Sequence, residues 1–291
     1  MIQKKPNSVL LIAGPTASGK SAFALAQAKA QDGVIINADS MQIYRDLRIL
    51  TARPNVAEEA LAPHRLYGTV NGADDYSVGQ WLADATHEIE TCWSQNQLPI
   101  ICGGTGLYFM ALERGLAKVP PLDPAIREKW RRFEGDLHAE LATRHLESAA
   151  RLNPADRHRL IRALEVFDST GKPLRQWQAE AQEQSLLKGV AVERIYMNVA
   201  REELYTRADK RFDIMIEQGA LAEVKALPKL DAAMPMMKAI GVPELLQHLQ
   251  GDLSLDEAMV LAKTATRHYI KRQSTWFRGQ MKDWRSTAKI N

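Results

Sequence analysis

Residues 8–21 decide the fold of this chain, and they read Ser8-Val9-Leu10-Leu11-Ile12-Ala13-Gly14-Pro15-Thr16-Ala17-Ser18-Gly19-Lys20-Ser21. The apolar run before Gly14 predicts a buried strand, and the Ala-rich residues after Ser21 predict a helix. Gly14 and Gly19 permit backbone conformations that a Cβ would hinder, so successive amides can face an anion. The order of strand, loop and helix therefore predicts a P-loop, in which phosphate lies at the helix N-terminus.

The predicted P-loop implies a set of phosphate-binding residues. Its phosphate-binding residues would be Gly14, Pro15, Thr16, Ala17, Ser18, Gly19, Lys20 and Ser21. Lys20 would bridge phosphate oxygens, and the hydroxyl of Ser21 would ligate Mg²⁺. The motif alone leaves open which phosphate compound the loop holds.

Composition predicts a soluble, cytoplasmic, globular protein. The chain has 291 residues, of which 45% are hydrophobic, enough for one large domain or two smaller ones. Its apolar runs are too short for a transmembrane helix, and the first run enters the P-loop too soon for a signal peptide. Cys92 and Cys102 lie within apolar patterns without metal-like spacing, which favours buried free thiols over a disulfide.

The distribution of charge is more informative about a nucleic-acid partner than the net charge is. The formal net charge is only 38 − 35 = +3, a weak argument for a nucleic-acid partner. Residues 267–291 are more basic, because they contain a single acid, Asp283, together with Arg267, Lys271, Arg272, Arg278, Lys282, Arg285 and Lys289. Aromatic residues interleave with these cations, a pattern that favours RNA contact.

Alternation of strands and helices predicts an α/β fold with a parallel sheet, like that of P-loop NTPases. Further strands are predicted at residues 33–37, 98–102 and 194–199, and Ser77 is predicted to cap a helix that runs to Trp93. Ligands bind at the carboxyl ends of strands in such sheets. Because Asp39 and Thr105 each follow a strand directly, we expect them to share one rim with the P-loop.

A helical insertion is predicted to interrupt the sheet domain. After Pro120-Pro121 the pattern becomes helical to about Gly189, with a start at Asn153-Pro154, a stop at Gly171, and a buried stripe of Leu160, Ile161, Leu164 and Phe167. We therefore divide the chain into a first core part at 1–121, an all-helical insertion at 122–189 and a second core part at 190–291, in which only helices follow the strand. The charge pattern also allows a merely solvated helical insert.

Ordered motifs along nearly the whole chain resemble the bacterial tRNA dimethylallyltransferases. The matching stretches are Gly14 to Ser21, Asp39-Ser40-Met41-Gln42-Ile43-Tyr44-Arg45, Gly103-Gly104-Thr105-Gly106-Leu107-Tyr108, Asn153-Pro154 through Arg162-Ala163-Leu164-Glu165-Val166, Thr170-Gly171-Lys172-Pro173-Leu174, and Arg272-Gln273-Ser274-Thr275-Trp276-Phe277-Arg278. Two places depart from the family pattern. Leu50 stands where Gly is common, and Val242-Pro243 replaces a usual Tyr-Arg, which puts local contacts there in doubt.

The resemblance implies transfer of a dimethylallyl group from its diphosphate, with Mg²⁺, to the exocyclic amine of the adenine 3′ of the anticodon. Lys20, Thr16, the metal near Ser21 and, by resemblance, Arg211 would stabilise the leaving diphosphate. Asp39 would take a proton from the amine, although a helix cap or an outer Mg²⁺ ligand is the alternative. Thr105 would position the amine or the base, or it merely fills a Gly-rich turn.

The resemblance also implies a set of tRNA-binding residues, because the target adenine must leave its stack to reach this rim. The set comprises Asp39, Ser40, Met41, Gln42, Thr105, Arg127, Ala163, Leu164, Glu165, Val166, Phe167, Arg272, Gln273 and Arg278. Gln42 would read the base, the insertion would grip the loop, and the C-terminal arginines would contact phosphates. Trp276 and Phe277 are assigned to core packing.

Two other classes of protein share part of these features. A P-loop kinase of a small metabolite would also use an acid after the second strand, with the helical insertion as its lid. A GTPase-like switch is a third class, though no guanine-specificity motif is evident. Matches outside the P-loop favour the prenyltransferase, which we expect to act as a monomer.

Overall fold

The computed structural model describes residues 7–183, 185–227 and 234–287. Within them, six strands form one sheet in the order β3-β2-β4-β1-β5-β6. The strands are β1 Ser8–Ala13, β2 Gly33–Asn37, β3 His64–Arg65, β4 Leu98–Gly103, β5 Ala191–Met197 and β6 Arg285–Thr287. All strand pairings are parallel, which confirms the predicted α/β class.

Strand β1 lies near the middle of the sheet, between β4 and β5. Ile12 is in register with Cys102 of β4 on one side and with Ile195 of β5 on the other. Every residue of β1 and β4 is buried, as expected for a parallel sheet covered on both faces. This register brings the carboxyl ends of β1, β2 and β4 to the same edge.

Helices cover the sheet, and their starts follow ordinary capping chemistry. In the sheet unit they are α1 Lys20–Gln31, α2 Val56–Glu59, α3 Val78–Ser94, α4 Gly106–Arg114, α10 Arg201–Glu217, α11 Ala220–Lys225, a 3-10 turn Pro235–Lys238, α12 Val242–Gln250 and α13 Leu255–Gln280. Ser77 and Gln80 form a capping box, which confirms the predicted start of α3.

Two short strands were absent from the sequence-based prediction. No strand is predicted where β3 lies, and β6 contradicts the prediction that only helices follow β5. Strand β6 pairs Arg285 with Ile195, and the amide of Asn198 donates to the carbonyl of Thr287 at 2.7 Å. Strands of two or three residues carry too little alternation to be recognised in a sequence.

Residues 110–188 form a second compact unit, which is all-helical. Its helices are the end of α4, α5 Pro124–Arg132, α6 Leu137–Arg144, α7 Leu146–Arg151, α8 Arg157–Thr170 and α9 Leu174–Glu183. The unit begins before the predicted position 122, because the end of α4 and the residue that follows it pack against α9 and the segment after α9. A Cβ on Gly115 would lie 2.3 Å from the carbonyl oxygen of Ala181, and the hydroxyl of Ser185 donates to the carbonyl of Leu112 at 2.9 Å.

Helix α8 differs from its prediction at its start and on its buried face. Its N-cap is Asp156, whose carboxylate accepts from the amide of Arg159. Asn153, three residues earlier, instead accepts the amide of Ala155 in a turn before the helix. Gly171 ends the helix with φ 66°, as predicted. Leu160 and Leu164 are buried as predicted, but Ile161 and Phe167 are only half-buried.

The two thiols are buried and free, as predicted. Burial raises the pKa of Cys92 to about 11 and that of Cys102 to about 12, so both stay protonated near neutral pH.

Among the described residues, none of the helices combines the length and the hydrophobicity that crossing a bilayer requires.

Candidate active site

The P-loop connects β1 to α1 through close backbone contacts. A Cβ on Gly14 would lie 2.7 Å from Oγ of Ser18 and 2.8 Å from Cβ of Met197, so only glycine fits there. Gly19 precedes the helix with φ 85°, a left-handed conformation that glycine adopts without strain. Since Gly19 has no side chain to cap α1, the first amides of the helix can bind an anion.

A cluster of charges lies beside the loop. Nζ of Lys20 donates to the carbonyl of Pro15 at 3.4 Å. Burial lowers the pKa of Lys20, while Cys102 and Asp39 act to raise it and Arg211 to lower it. Burial also lowers the pKa of Arg211, which Asp39 counteracts. Two cations thus face one carboxylate, and the excess positive charge favours an anionic ligand.

Asp39 occupies a turn that holds its carboxylate in place. Asn37, which is fully buried, accepts the amide of Asp39 at 2.8 Å and donates to the Asp39 carbonyl at 2.9 Å. The Oδ1 atom of Asp39 accepts from the amide of Met41 at 3.0 Å. The carboxylate also lines the pocket described below, so it is both anchored and accessible to a ligand.

Thr105 links the loop after β4 to the turn that carries Asp39. Its Oγ1 accepts the amide of Ser40 at 2.9 Å, and its own amide donates to the carbonyl of Ala38 at 3.1 Å. The Thr105 hydroxyl also donates to Oγ of Ser40 at 3.3 Å. Thr105 therefore orients the Asp39–Ser40 turn, a more specific arrangement than a hydroxyl that fills a turn.

Gln273 braces the loops after β1 and β4 from α13. The Gln273 side chain is only 4% exposed; its Oε1 accepts the amide of Thr16 at 2.9 Å, and its Nε2 donates to the carbonyl of Gly104 at 2.9 Å. A Cβ on Gly104 would lie 2.3 Å from that Nε2, so the contact requires glycine. The predicted contact of Gln273 with tRNA is corrected, because this amide is buried and used inside the protein.

A pocket of about 220 Å³ opens beside these loops, entirely within the sheet unit. Its polar lining residues are Thr16, Asp39, Ser40, Thr51, Arg211, Lys238, Thr266, Tyr269 and Arg272. Its apolar lining residues are Met41, Leu50, Ala208, Phe212, Met215, Ala239 and Ile240. The polar residues come from the P-loop, the loop after β2, α10, the 3-10 turn and α13, and the apolar residues come from α10 and two loops.

Sequence reasoning missed several of these lining residues. The spacing of Ala208, Arg211, Phe212 and Met215 places them on one face of α10, which was the available signal. No sequence pattern indicated that Lys238 and Tyr269 line the pocket. Both lie in segments whose position depends on long-range packing.

The predicted RNA-binding residues of the sheet unit differ in their exposure and in the hydrogen bonds that they make within the protein. Nε2 of Gln42 donates to the carbonyls of Thr51 and Ala52 at 2.8 Å and 3.0 Å, so its amide nitrogen is engaged. Arg272 is exposed at the pocket and lies over the ring of Tyr269, 5.5 Å from its centroid. Arg278 is exposed, and its Nε donates to the carbonyl of Ser274 at 3.1 Å.

The predicted RNA-binding residues of α8 are mostly buried. Ala163, Leu164, Glu165 and Val166 are buried, so a direct side-chain contact with RNA at these positions is corrected, and Phe167 is half-buried. Oε1 of Glu165 lies 3.5 Å from Nε of Arg131, and its Oε2 lies 3.8 Å from Nη1 of Arg162. This buried carboxylate holds two exposed guanidinium groups side by side.

The C-terminal aromatic residues pack as predicted, with one difference. Phe277 is 1% exposed, whereas Trp276 is half-buried against Gly106, where a Cβ would lie 2.3 Å from the indole ring. Lys289 of the basic segment lies outside the described residues.

The two departures from the family pattern lie next to each other. A Cβ on Gly241 would lie 2.8 Å from Cδ2 of Leu50, and Val242 follows Gly241 directly and is fully buried. Leu50 thus packs on the backbone that leads into the second departure. The two changes form one local contact in this chain.

Comparisons with known proteins agree on one family. The model of the family described as IPP transferase matches residues 42–280. A tRNA dimethylallyltransferase of Azorhizobium caulinodans is 53% identical over 287 residues, which cover 96% of this chain and 91% of the relative. One from Rhodopseudomonas palustris is 54% identical and covers 94% and 86%.

Solved structures give the same result. The full-length tRNA isopentenylpyrophosphate transferase of Bacillus halodurans has a TM-score of 0.70 and 31% identity, covering 96% of this chain and 90% of that one. A eukaryotic dimethylallyltransferase acting on tRNA has a TM-score of 0.80 and 27% identity, covering 93% and 70%. The fold is therefore shared over nearly the whole chain.

The brace formed by Gln273 yields a stability prediction. Gln273→Leu leaves the amide of Thr16 and the carbonyl of Gly104 without this partner, so we expect the free energy of unfolding to fall by about 1–3 kcal/mol. Urea denaturation followed by circular dichroism measures the change. Gln280→Leu, at the exposed end of the same helix, is the matched control and should change it by less than about 0.5 kcal/mol. Equal stability of the two variants would show that the brace contributes nothing.

Proposed function

Because the chain belongs to the IPP transferase family, we propose that it transfers a dimethylallyl group from dimethylallyl diphosphate to the N6 amine of the adenine 3′ of the anticodon in tRNA. The observation that carries this proposal is the composition of the pocket. Thr16 of the P-loop, Asp39 and Arg211 line the pocket together with apolar side chains such as Leu50, Phe212 and Met215. Lys20 of the same loop interacts electrostatically with Asp39 and Arg211. A diphosphate with a short hydrocarbon chain matches that arrangement.

At the donor end, catalysis requires stabilisation of the leaving diphosphate. As the bond between carbon and oxygen breaks, negative charge develops on the diphosphate, and Lys20, Arg211 and the amides of the loop are placed to offset it. Because these groups are fixed before the substrate binds, little reorganisation is needed during the reaction. The allylic carbon becomes electrophilic as the diphosphate leaves.

Magnesium is part of the proposal, and the residues fit its usual mode of binding. No group of three His, Cys, Asp or Glu side chains forms a metal centre in the described part of the chain. Mg²⁺ is commonly held by few protein oxygens together with substrate phosphates and water, and the exposed hydroxyl of Ser21 at the start of α1 offers one such oxygen. When bound, the ion would neutralise charge on the diphosphate.

At the acceptor end, the amine needs a base because its lone pair is delocalised into the adenine ring. The N6 nitrogen forms a bond to the allylic carbon, the bond between that carbon and the diphosphate oxygen breaks, and Asp39 takes the proton from nitrogen. Thr105 and Asn37 hold the turn of Asp39 in place. The adenine would reach Asp39 after leaving its stack in the anticodon loop.

The metabolite kinase is the second candidate function. Its support is the P-loop with a following acid, which kinases share. The apolar wall formed by Leu50, Phe212 and Met215 favours a hydrocarbon over the sugar and base of a nucleotide. A tRNA substrate would place the reaction in the cytoplasm, and we propose that the chain acts as a monomer.

We expect the purified protein to transfer labelled dimethylallyl groups to unmodified tRNA in the presence of Mg²⁺. Lys20→Ala should nearly abolish this transfer, because the leaving diphosphate loses its buried cation. Lys29→Ala, at the exposed end of α1, is the control and should keep normal activity. Rapid hydrolysis of ATP with no use of the prenyl donor would establish the kinase instead.

Asp39→Asn should lower kcat by about 10²–10⁴-fold, which is the usual contribution of a positioned base. The affinity for tRNA should stay within a small factor, because the amide keeps the shape of the turn. Steady-state kinetics and filter binding separate the two effects. Asp75→Asn, at an exposed position of the same unit, serves as control. Near-normal kcat in Asp39→Asn would remove Asp39 from the role of base.

We further propose that the helical unit contributes to tRNA binding through its exposed arginines. Arg127 is exposed on α5, and Arg131 and Arg162 are held side by side by Glu165. On α5, Arg127 and Arg131 are four residues apart and share a face, whereas Arg132 points about 140° away from Arg127. A row of guanidinium groups of this kind suits RNA phosphates.

Replacing Arg127 or Arg162 by Ala should reduce the slope of log affinity for tRNA against log salt by about 0.7–0.9, since one phosphate contact is lost. Fluorescence anisotropy over a range of salt concentrations measures the slope. Arg132→Ala is the matched control on the other side of α5 and should leave it unchanged. The same slope in all four proteins, wild type included, would exclude this face from RNA binding.

A further inference from the structure

The apolar wall of the pocket lies at a fixed distance from the P-loop. Ala17 of the P-loop packs against the cluster that contains Ala208 of α10. Phe212 and Met215 follow on the same face of α10, about 6 Å and 10 Å further along the helix axis. Helix α10 therefore leads from the phosphate end of the pocket to its apolar end.

Leu50 and Phe212 close that apolar end together with the backbone of Gly241. A Cβ on Gly241 would lie 2.8 Å from Cδ2 of Leu50 and 3.2 Å from Cε2 of Phe212. Leu50 is 8% exposed, and Gly241 has φ 99°, which a residue with a side chain rarely adopts. The three residues are therefore in close contact and leave no room for a side chain at Gly241.

Leu50 is held in this wall by its backbone. The Glu223 carboxylate of α11 accepts the amides of Arg48, Ile49 and Leu50 at 2.7 Å, 2.8 Å and 3.0 Å. On the other side of Leu50, Gln42 donates to the carbonyls of the next two residues. Hydrogen bonds to a charged acceptor are strong, so the turn cannot easily move aside for a longer ligand.

We infer that Leu50 limits the prenyl donor to five carbons, an inference that rests on the proposed function. With the diphosphate at the P-loop, a second isoprene unit would have to enter the space that Leu50 and Phe212 occupy. Overpacking of a close-packed wall forces side chains from their rotamers. Removing most of the Leu50 side chain makes room for that unit.

The test compares dimethylallyl diphosphate with geranyl diphosphate on the same tRNA. In Leu50→Ala, we expect the ratio of kcat/KM for geranyl to that for dimethylallyl diphosphate to rise at least about tenfold, since even one methylene is worth about 10–200-fold. Leu47→Ala is the matched control, because Leu47 is fully buried in the same segment but does not line the pocket. That control should leave the ratio unchanged.

Each result has a defined meaning. An unchanged ratio in Leu50→Ala, or an equal rise in Leu47→Ala, would overturn the inference, as would efficient use of geranyl diphosphate by the wild type. If Leu50→Ala does not fold, as judged by circular dichroism, Leu50→Val replaces it and should raise the ratio by a smaller factor. A wild type that uses neither donor would refute the proposed function itself and is thus distinguishable.

Discussion

Close approach of three strand ends is the constraint on which the site depends. A Cβ on Gly103 would lie 2.0 Å from the carbonyl oxygen of Ala38, so the end of β4 touches the backbone beyond β2 directly. Gly14 donates its amide to the carbonyl of Gly103 at 3.3 Å, which ties the P-loop to the same point. Since these contacts involve backbone alone, the P-loop and the Asp39 turn are brought together without depending on any side-chain conformation.

Charge balance explains how one pocket can serve two reactants. Burial disfavours the charged forms of Lys20 and Arg211, and Asp39 favours them. The formal charges of these three groups leave an excess of positive charge, which an anionic ligand would offset. The same carboxylate then faces the place where an acceptor must arrive.

The parts that could be predicted from sequence are those with strong local patterns. Apolar runs and glycines identified β1, the P-loop and the strands of Asp39 and Thr105, because parallel strands and their carboxyl ends follow general rules. The Asn153-Pro154 pair predicted the start of α8 too early, because Asn153 forms a turn before the N-cap residue, Asp156. The bracing role of Gln273 could not be predicted, because its two partners are distant in sequence and the role depends on how α13 packs.

The central claim is that this edge of the sheet is built for a prenyl diphosphate rather than for a nucleotide. The melting temperature of the purified protein tests it most directly, because a ligand of the folded state raises that temperature. We expect dimethylallyl diphosphate with Mg²⁺ to raise it in the wild type, and ATP with Mg²⁺ to raise it much less. A larger increase with ATP than with dimethylallyl diphosphate would contradict the account.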